Sequence, residues 1–557
     1  MKNLIAIILF ACLFIPRIQA QDLVPPLDIP LYLSGNFGEL RANHFHSGID
    51  FKTQGITGLP VKSVQDGYIS RISVSPYGYG HALYINHPDG TTSVYAHLDK
   101  FVPRIGEVVR DSQYIKESFG VNLFFTPEQL PVAKGEKIAY SGNTGGSGGP
   151  HVHFEIRETA SEEPLDPLPY FRNKIKDTRP PEIKGLMIFP QFDKGVVNGS
   201  AANQAIPLIK NAAGVLVPRD IITAWGEIGV GIKAYDRMDE TSNIYGVNEI
   251  ILKVNGEEVY HSVMNRFSFD DTRYLNTYID WNSWINSKEF YMKSFADPGN
   301  RLKFNQSLYN GTVIIDKEKD YLFEYTLKDV YGNTSTFDFS IAGVETTIPV
   351  YESDDPYFRF NRDNEYAGKG IEINIPRGNL YSDVYVAIDT TANFTPYGPL
   401  YTIGKRIPLH TYCSLTLDIP NDTYPDKSKY GVVYNWDEKR SWLGGEHTDV
   451  KIKTKIRELG DFSIEVDSVA PVIKPVNMNR WTSLKRISFK ITDDLSGIAT
   501  YRGTLDGNFI LFEYDAKTAS LYYIYDPKRQ KKGTQLLELT VTDSAGNQSI
   551  FSNNVVM

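Results

Sequence analysis

The chain has 557 residues, room for three or four domains with their own cores, and it is 41% apolar and 22% charged, as soluble globular proteins are. Its net charge is −9 and it carries no basic cluster, which excludes nucleic acid and anionic membrane surfaces as partners. Tyrosine (35) and phenylalanine (29) are abundant beside frequent turn formers, a balance that favours β-sheet over helix.

The N-terminus opens on Met1-Lys2-Asn3, continues as the apolar run LIAIILFACLFIP and reaches a small residue at Ala20. This pattern predicts a secretory leader over residues 1–20. The run is shorter than the roughly 20 residues that a membrane-spanning helix needs. No later stretch is long and apolar enough to span, so the mature chain is expected to be exported to the periplasm, cell envelope or exterior, without a transmembrane segment. Of the two cysteines only Cys413 survives removal of the leader. Its alternating surroundings, HTYCSLTLDI, mark it as a small core residue of a strand.

Seven of the ten histidines (His44, His46, His81, His87, His97, His151 and His153) fall between positions 44 and 153. The same region holds short strand patterns (GYISRISVS, HALYINH, TSVYAHL) separated by Pro-Tyr-Gly and Pro-Asp-Gly turns, so residues 21–175 read as an antiparallel β domain. Residues 112–131 interrupt the pattern and read as an insertion, a loop bordering the groove. Farther on, Asp177-Thr178-Arg179-Pro180-Pro181-Glu182-Ile183 matches Asp467-Ser468-Val469-Ala470-Pro471-Val472-Ile473. Each is later followed by a D-x-x-G-N-x-S segment, Asp329 to Ser335 and Asp543 to Ser549. The repeat predicts two modules of one β-sandwich (Ig-like) type at 176–345 and 467–557, the first with a large insertion, around a further β domain at 346–466. The fold class expected is all-β.

Within the histidine-rich region, His46-Ser47-Gly48-Ile49-Asp50 is an H-x-x-x-D pair. On a straight strand the two would share a face about 13 Å apart, so a turn or bulge at Ser47-Gly48 has to close the gap if both hold one ion. In His151-Val152-His153 the two histidines point to one face of a strand about 6.6 Å apart, so one can ligate a metal while the other stands beside it. The preceding run, Gly142 to Pro150, has little side-chain bulk and suits close backbone approach. His97 ends a third strand pattern. Glu155 shares the face of His153 and reads as a residue that orients neighbours. His44 reads as structural or supporting, and His81, His87, His261, His410 and His447 as ordinary surface or core residues. Asp236 to Glu240 and Asp493 to Gly497 lack the ligand spacing of a calcium loop and read as turn formers.

Taken together, RANHFHSGIDF, GYGHALYINHPDGTTSVYAHL and KGEKIAYSGNTGGSGGPHVHFEI resemble, in order, the motifs of the lysostaphin/LytM-type zinc metalloendopeptidases. The resemblance spans roughly residues 35–158. It implies one Zn2+ held by His46, Asp50 and His153, with His97 and His151 as the catalytic histidines flanking it, their separate roles open. It further implies hydrolysis of peptide cross-links in bacterial peptidoglycan, with stem peptides or cross-bridges as the substrate. Zinc would polarise the carbonyl and acidify its water, and an imidazole would take the proton. Degenerate members of the family lose ligands and instead activate cell-wall amidases. Here all five positions are filled, which argues against that reading. A peptidase acting on proteins, or a scaffold whose sandwiches do the main work, are the other readings.

Overall fold

The computed structural model describes residues 23–556, so the leader expected at 1–20 lies outside the described residues. Among the described residues no helix is long and apolar enough to cross a membrane. The chain is built mainly of strands, with helix confined to short pieces.

The first region is a nine-stranded sheet whose main path uses seven strands. They are β1 (Leu33–Gly35), β2 (Ile49–Lys52), β3 (Gly67–Val74), β4 (His81–Asn86), β5 (Thr91–Leu98), β6 (Val121–Phe124) and β7 (His151–Glu158), hydrogen-bonded in the order β1-β2-β7-β5-β4-β3-β6. All neighbours on this path run antiparallel. Alternation along β7 sends Val152, Phe154 and Ile156 into the core and sets His151, His153, Glu155 and Arg157 on the opposite face. Phe154 is fully buried and packs edge-on against Tyr95 and Phe171 and obliquely against Phe51.

The segment expected to be a groove-side loop at 112–131 is different in form and place. It follows a helix, α1 (Pro103–Ile115), that starts with Pro at its first position and buries Ile105, Val109 and Gln113 at four-residue spacing. After it, β6 pairs with β3 at the sheet edge farthest from β1. This edge receives the last module: Arg502 pairs with Glu117 at 2.6 Å, Lys528 with Glu107 at 3.2 Å, and Tyr114 meets Phe509 edge-on. The short helical stretch escaped a reading based on strand alternation because its three buried positions include a polar Gln113.

Downstream, a ten-stranded sheet is organised around β8 (Glu182–Val197), β9 (Ile222–Tyr235), β10 (Asp320–Lys328) and β11 (Thr334–Gly343). Residues from 358 to 464 form a core between two five-stranded sheets, in which Cys413 is buried and its thiol pushed up to about 12 by that burial. The final residues form two four-stranded sheets around Trp481, Phe489 and Phe512. The repeated motifs seen in the sequence meet in space. Asn333 Nδ2 donates to Asp177 O at 3.3 Å and Ser335 Oγ to Pro181 O at 2.6 Å. Asn547 Nδ2 and Ser549 Oγ make the same pair of bonds to Asp467 O and Pro471 O, at 3.0 and 2.5 Å. The first and last strands of each module are thus clipped together by one recurrent device.

The hydrophobic cores cross the expected boundary at residue 175. Phe37 and Phe45, from the first region, are buried in the core of the ten-stranded sheet, where Phe45 contacts the rings of Phe267, Tyr278 and Phe304. In return Met238 and Tyr245 are buried in the core of the first region. Cutting the chain after residue 175 is therefore expected to leave Phe37 and Phe45 without cover. Hydrogen exchange over residues 44–52 should then quicken at least tenfold relative to the full chain, and unchanged protection would show that the first region is self-sufficient.

Candidate metal centre

Three chain segments converge on one point. His46 lies in the turn just before β2, Asp50 lies on β2, and His153 lies directly opposite Asp50 in the β2–β7 register. The turn demanded by the sequence is present and depends on Gly48. A Cβ there would stand 2.2 Å from the carbonyl oxygen of Phe154, so only glycine lets this turn press against β7. With the chain bent this way, His46 Nε2 is 3.1 Å from Asp50 Oδ1 and 3.0 Å from His153 Nδ1, and His153 Nδ1 is 2.9 Å from Asp50 Oδ1. All three residues are buried.

The outer bonds decide which atoms face one another. His46 donates through Nδ1 to Asn36 O at 2.6 Å, so its lone pair is at Nε2. His153 donates through Nε2 to Glu155 Oε1 at 2.8 Å, so its lone pair is at Nδ1. Asp50 Oδ2 accepts from Arg41 Nη2 at 2.8 Å, which leaves Oδ1 pointing at the histidines. Three lone-pair atoms thus meet within about the 3.3 Å separation that tetrahedral zinc ligands at ~2.0–2.1 Å would have. Such a set calls for a positive charge at its centre. Burial depresses His153, but its hydrogen bonds to the Asp50 and Glu155 carboxylates reverse this and raise it to about 9. Burial works to raise Asp50, and the His46 charge with hydrogen bonds from the histidines holds it well below the usual carboxylate range. A divalent cation does the same work as the recruited proton and exchanges with it. The residues present fit a metal.

Glu155 is the support under His153. It is fully buried and accepts from Ser47 Oγ at 2.6 Å, Tyr79 OH at 2.5 Å and Arg157 Nε at 2.6 Å as well as from His153. Tyr79 also stacks on the His153 ring at 5.3 Å. Burial would raise Glu155, but the Arg157 guanidinium beside it keeps it ionised. Arg41, Asn36, Tyr79 and Arg157 were not singled out in the sequence. Arg157 was within reach, two residues beyond Glu155 on the same face of β7. Tyr79 arrives from a distant turn and left no local signal.

His97 and His151 stand beside the triad, their rings 4.8 Å apart. His151 Nε2 is 3.5 Å from Asp50 Oδ1, and its Nδ1 donates to Gly149 O at 2.8 Å. His97 donates through Nδ1 to Thr144 O at 2.8 Å and adopts a left-handed φ of 57°, a conformation held against local preference by its surroundings. Burial, joined by the charges of His153 and His151, lowers His97 to about 3 and keeps it neutral. The glycine-rich loop is packed at its start, where a Cβ on Gly145 would lie 2.3 Å from Gly80 N, and open at Gly148 and Gly149. An open cleft alongside is lined by Asp50, Lys52, Gln54, His97, Ser147 and His151. No residue of α1 or β6 lines it. The other histidines serve elsewhere. His44 bonds Ala42 O at the surface, His81 bonds Asp99 O, and His87 bonds Asp66 O and Ser93. His261 pairs with Glu249, His410 stacks on Tyr274, and His447 pairs with Asp422.

Residues 44–120 and 121–167 match Peptidase family M23. Residues 355–467 match a Zu5-like domain. Among curated relatives, an uncharacterized metalloprotease of Haemophilus influenzae is 32% identical over 111 residues, covering 20% of this chain and 18% of its own length. The DD-carboxypeptidase/endopeptidase Mpg of Neisseria meningitidis serogroup B is 32% identical over 129 residues, 23% of each chain. Lysostaphin of Staphylococcus staphylolyticus is 28% identical over 131 residues, 23% of this chain and 22% of its own. The match spans about a fifth of the length of these relatives. Among solved structures, the catalytic domain of lysostaphin from Staphylococcus simulans is 26% identical, covering 26% of this chain and 92% of that one at a TM-score of 0.20.

Replacing Glu155 with Gln weakens the acceptor that fixes His153, and zinc affinity should fall about 10–100-fold, measured by competition with a chromophoric chelator. The same substitution leaves the buried Arg157 charge with Glu162 as its remaining carboxylate partner, a cost to be read separately by thermal melting. Unchanged zinc affinity in the folded variant would remove Glu155 from the support of the site.

Proposed function

We propose that the protein is an exported zinc-dependent endopeptidase that hydrolyses peptide cross-links of bacterial peptidoglycan. The observation that carries this reading is the mutual approach of His46 Nε2, Asp50 Oδ1 and His153 Nδ1 beside an open cleft with two further histidines. The wall-acting relatives of the matched segment support the choice of substrate.

His46, Asp50 and His153 would hold the ion, which when bound supplies Lewis acidity to the scissile carbonyl and to water. His97 is kept uncharged by burial, so at neutral pH it presents a free lone pair beside the site. Its Nδ1 bond to Thr144 O leaves Nε2 as the accepting nitrogen. His151 has the same arrangement, with Nδ1 tied to Gly149 O and Nε2 turned toward Asp50. Between them the two rings can carry the proton from water to the departing amine. Lys52 and Gln54 also line the cleft. The downstream β modules would act as spacers or anchors within the envelope.

Purified peptidoglycan incubated with the protein, and analysed by mass spectrometry, should yield uncross-linked muropeptides. His153→Ala should abolish them, and His97→Ala should lower kcat by about 10²–10⁴-fold with little change in KM. Chelator should stop the reaction and added zinc restore it. A folded, zinc-loaded protein that leaves the cross-links intact would overturn the reading and favour an amidase-activating role.

A further inference from the structure

Two triads of aspartates stand outside the peptidase site, one in each of the repeat-related modules: Asp177, Asp236 and Asp329, and Asp467, Asp493 and Asp543. In both, the ligand oxygens lie within 4.8 Å of one another. The two triads differ in how their charge is met. In the last module Asp467 Oδ1 and Oδ2 accept from Val469 N and Ser496 N. There, Asp493 Oδ2 accepts from Leu495 N and Gly497 N, and both oxygens of Asp543 accept from Asn547. In the earlier module Asp329 is served in the same way by Asn333, and Asp177 Oδ1 accepts from Arg179 N. Asp177 Oδ2 and Asp236 Oδ1, however, are buried with no N–H donor, Asp177 facing the carboxyl group of Asp329, and Asp236 is only 1% exposed. Among the described ion pairs none involves Asp177, Asp236 or Asp329. The nearby Arg179 and Arg237 are paired with Glu182.

A buried carboxylate oxygen with no donor is costly, and there are two ways to relieve it: a proton or a cation. We propose that Asp177, Asp236 and Asp329 form a calcium site at the junction of the peptidase region and the module that follows it. The donors are all hard oxygens, which suits calcium and not a softer metal. Oxygens on opposite sides of a calcium ion, at ~2.3–2.6 Å from it, lie up to about 5 Å apart, so the triad can share one ion as it stands. Local spacing around Asp236 gave no sign of such a site, because one of the other carboxylates comes from a turn more than ninety residues away, at Asp329. Without a cation, burial and then the neighbouring Asp177 charge push Asp236 up to about 8.

The position gives the ion something to brace. Asp236 exchanges backbone hydrogen bonds with Tyr245, whose hydroxyl donates to Leu33 O at 2.8 Å. Leu33 pairs in register with Phe51, the neighbour of Asp50 on β2. Asp177 is joined to the other side through Asn333, and Tyr331 OH donates to Ile175 O at 2.8 Å.

The test uses the chain without its leader, dialysed free of calcium and kept saturated with zinc. Calcium chloride is titrated by calorimetry, with thermal melting in parallel. The wild type should take up calcium at this site and melt at a higher temperature with it. Asp236→Asn should weaken that uptake at least tenfold and lose the thermal response, while His46→Ala keeps both. Because Asn keeps the shape of Asp236 and cannot be charged, Asp236→Asn should fold; if it does not, Asp329→Asn supplies the same readout. No uptake at millimolar calcium, with a melting temperature that rises as pH falls through about 8, would identify a protonated acid pair and overturn the proposal. Uptake lost in Asp493→Asn but retained in Asp236→Asn would overturn it as well.

Discussion

His46 is positioned from two sides at once, and the candidate metal centre depends on that double hold. On one side Phe45 is sunk among Phe267, Tyr278 and Phe304 in the core of the second region. On the other Gly48 lies so close to the Phe154 carbonyl that no side chain fits between them. Full burial of a phenylalanine contributes about 1.5–3 kcal/mol, so the anchor at Phe45 is firm, and the contact at Gly48 is steric. The two residues between these fixed points, His46 and Ser47, have little freedom. They deliver an imidazole to the spot that the β2–β7 register already assigns to Asp50 and His153.

The polar side of the site obeys the complementary rule that buried polar groups must find partners. Glu155 collects donors from Ser47, Tyr79, His153 and Arg157, and Asp50 is shared between Arg41 and the histidines. Each bond selects a tautomer or an oxygen, and together they leave unpaired lone pairs only where three residues meet. The precision of the centre therefore comes from residues that never touch the ion. This is why a short hairpin, a strand and a glycine-rich loop, each unremarkable alone, define one chemical site.

How much of this was legible beforehand differs by length scale. The alternation in HVHFEIR placed His151 and His153 on one face, and the impossibility of joining His46 to Asp50 along a straight strand foretold the turn at Gly48. The paired motifs D-[T/S]-x-x-P and D-x-x-G-N-x-S recur at two places in the chain, although nothing local could say that Asn333 would bond Asp177 from 156 residues away. What remained hidden was non-local. Phe45 looks like any strand residue until its partners at 267, 278 and 304 are known. Tyr79 reaches Glu155 from a turn, and Asp236 meets Asp329 only when the ends of two strands distant in the chain come together. α1 was obscured because Gln113 breaks its apolar stripe while still being buried, its amide donating to Phe119 O.

The last module folds back on the first region, which carries the candidate metal centre. Lys517 donates to the carbonyl oxygens of Asn143 and Ser147, in the loop that leads into His151, across a separation of 370 residues to Ser147. These two bonds tie the carbonyls of the loop ahead of His151 to the far end of the chain, although no residue of the last module lines the cleft. The shape of that loop is therefore answerable to a segment that takes no part in the chemistry beside it.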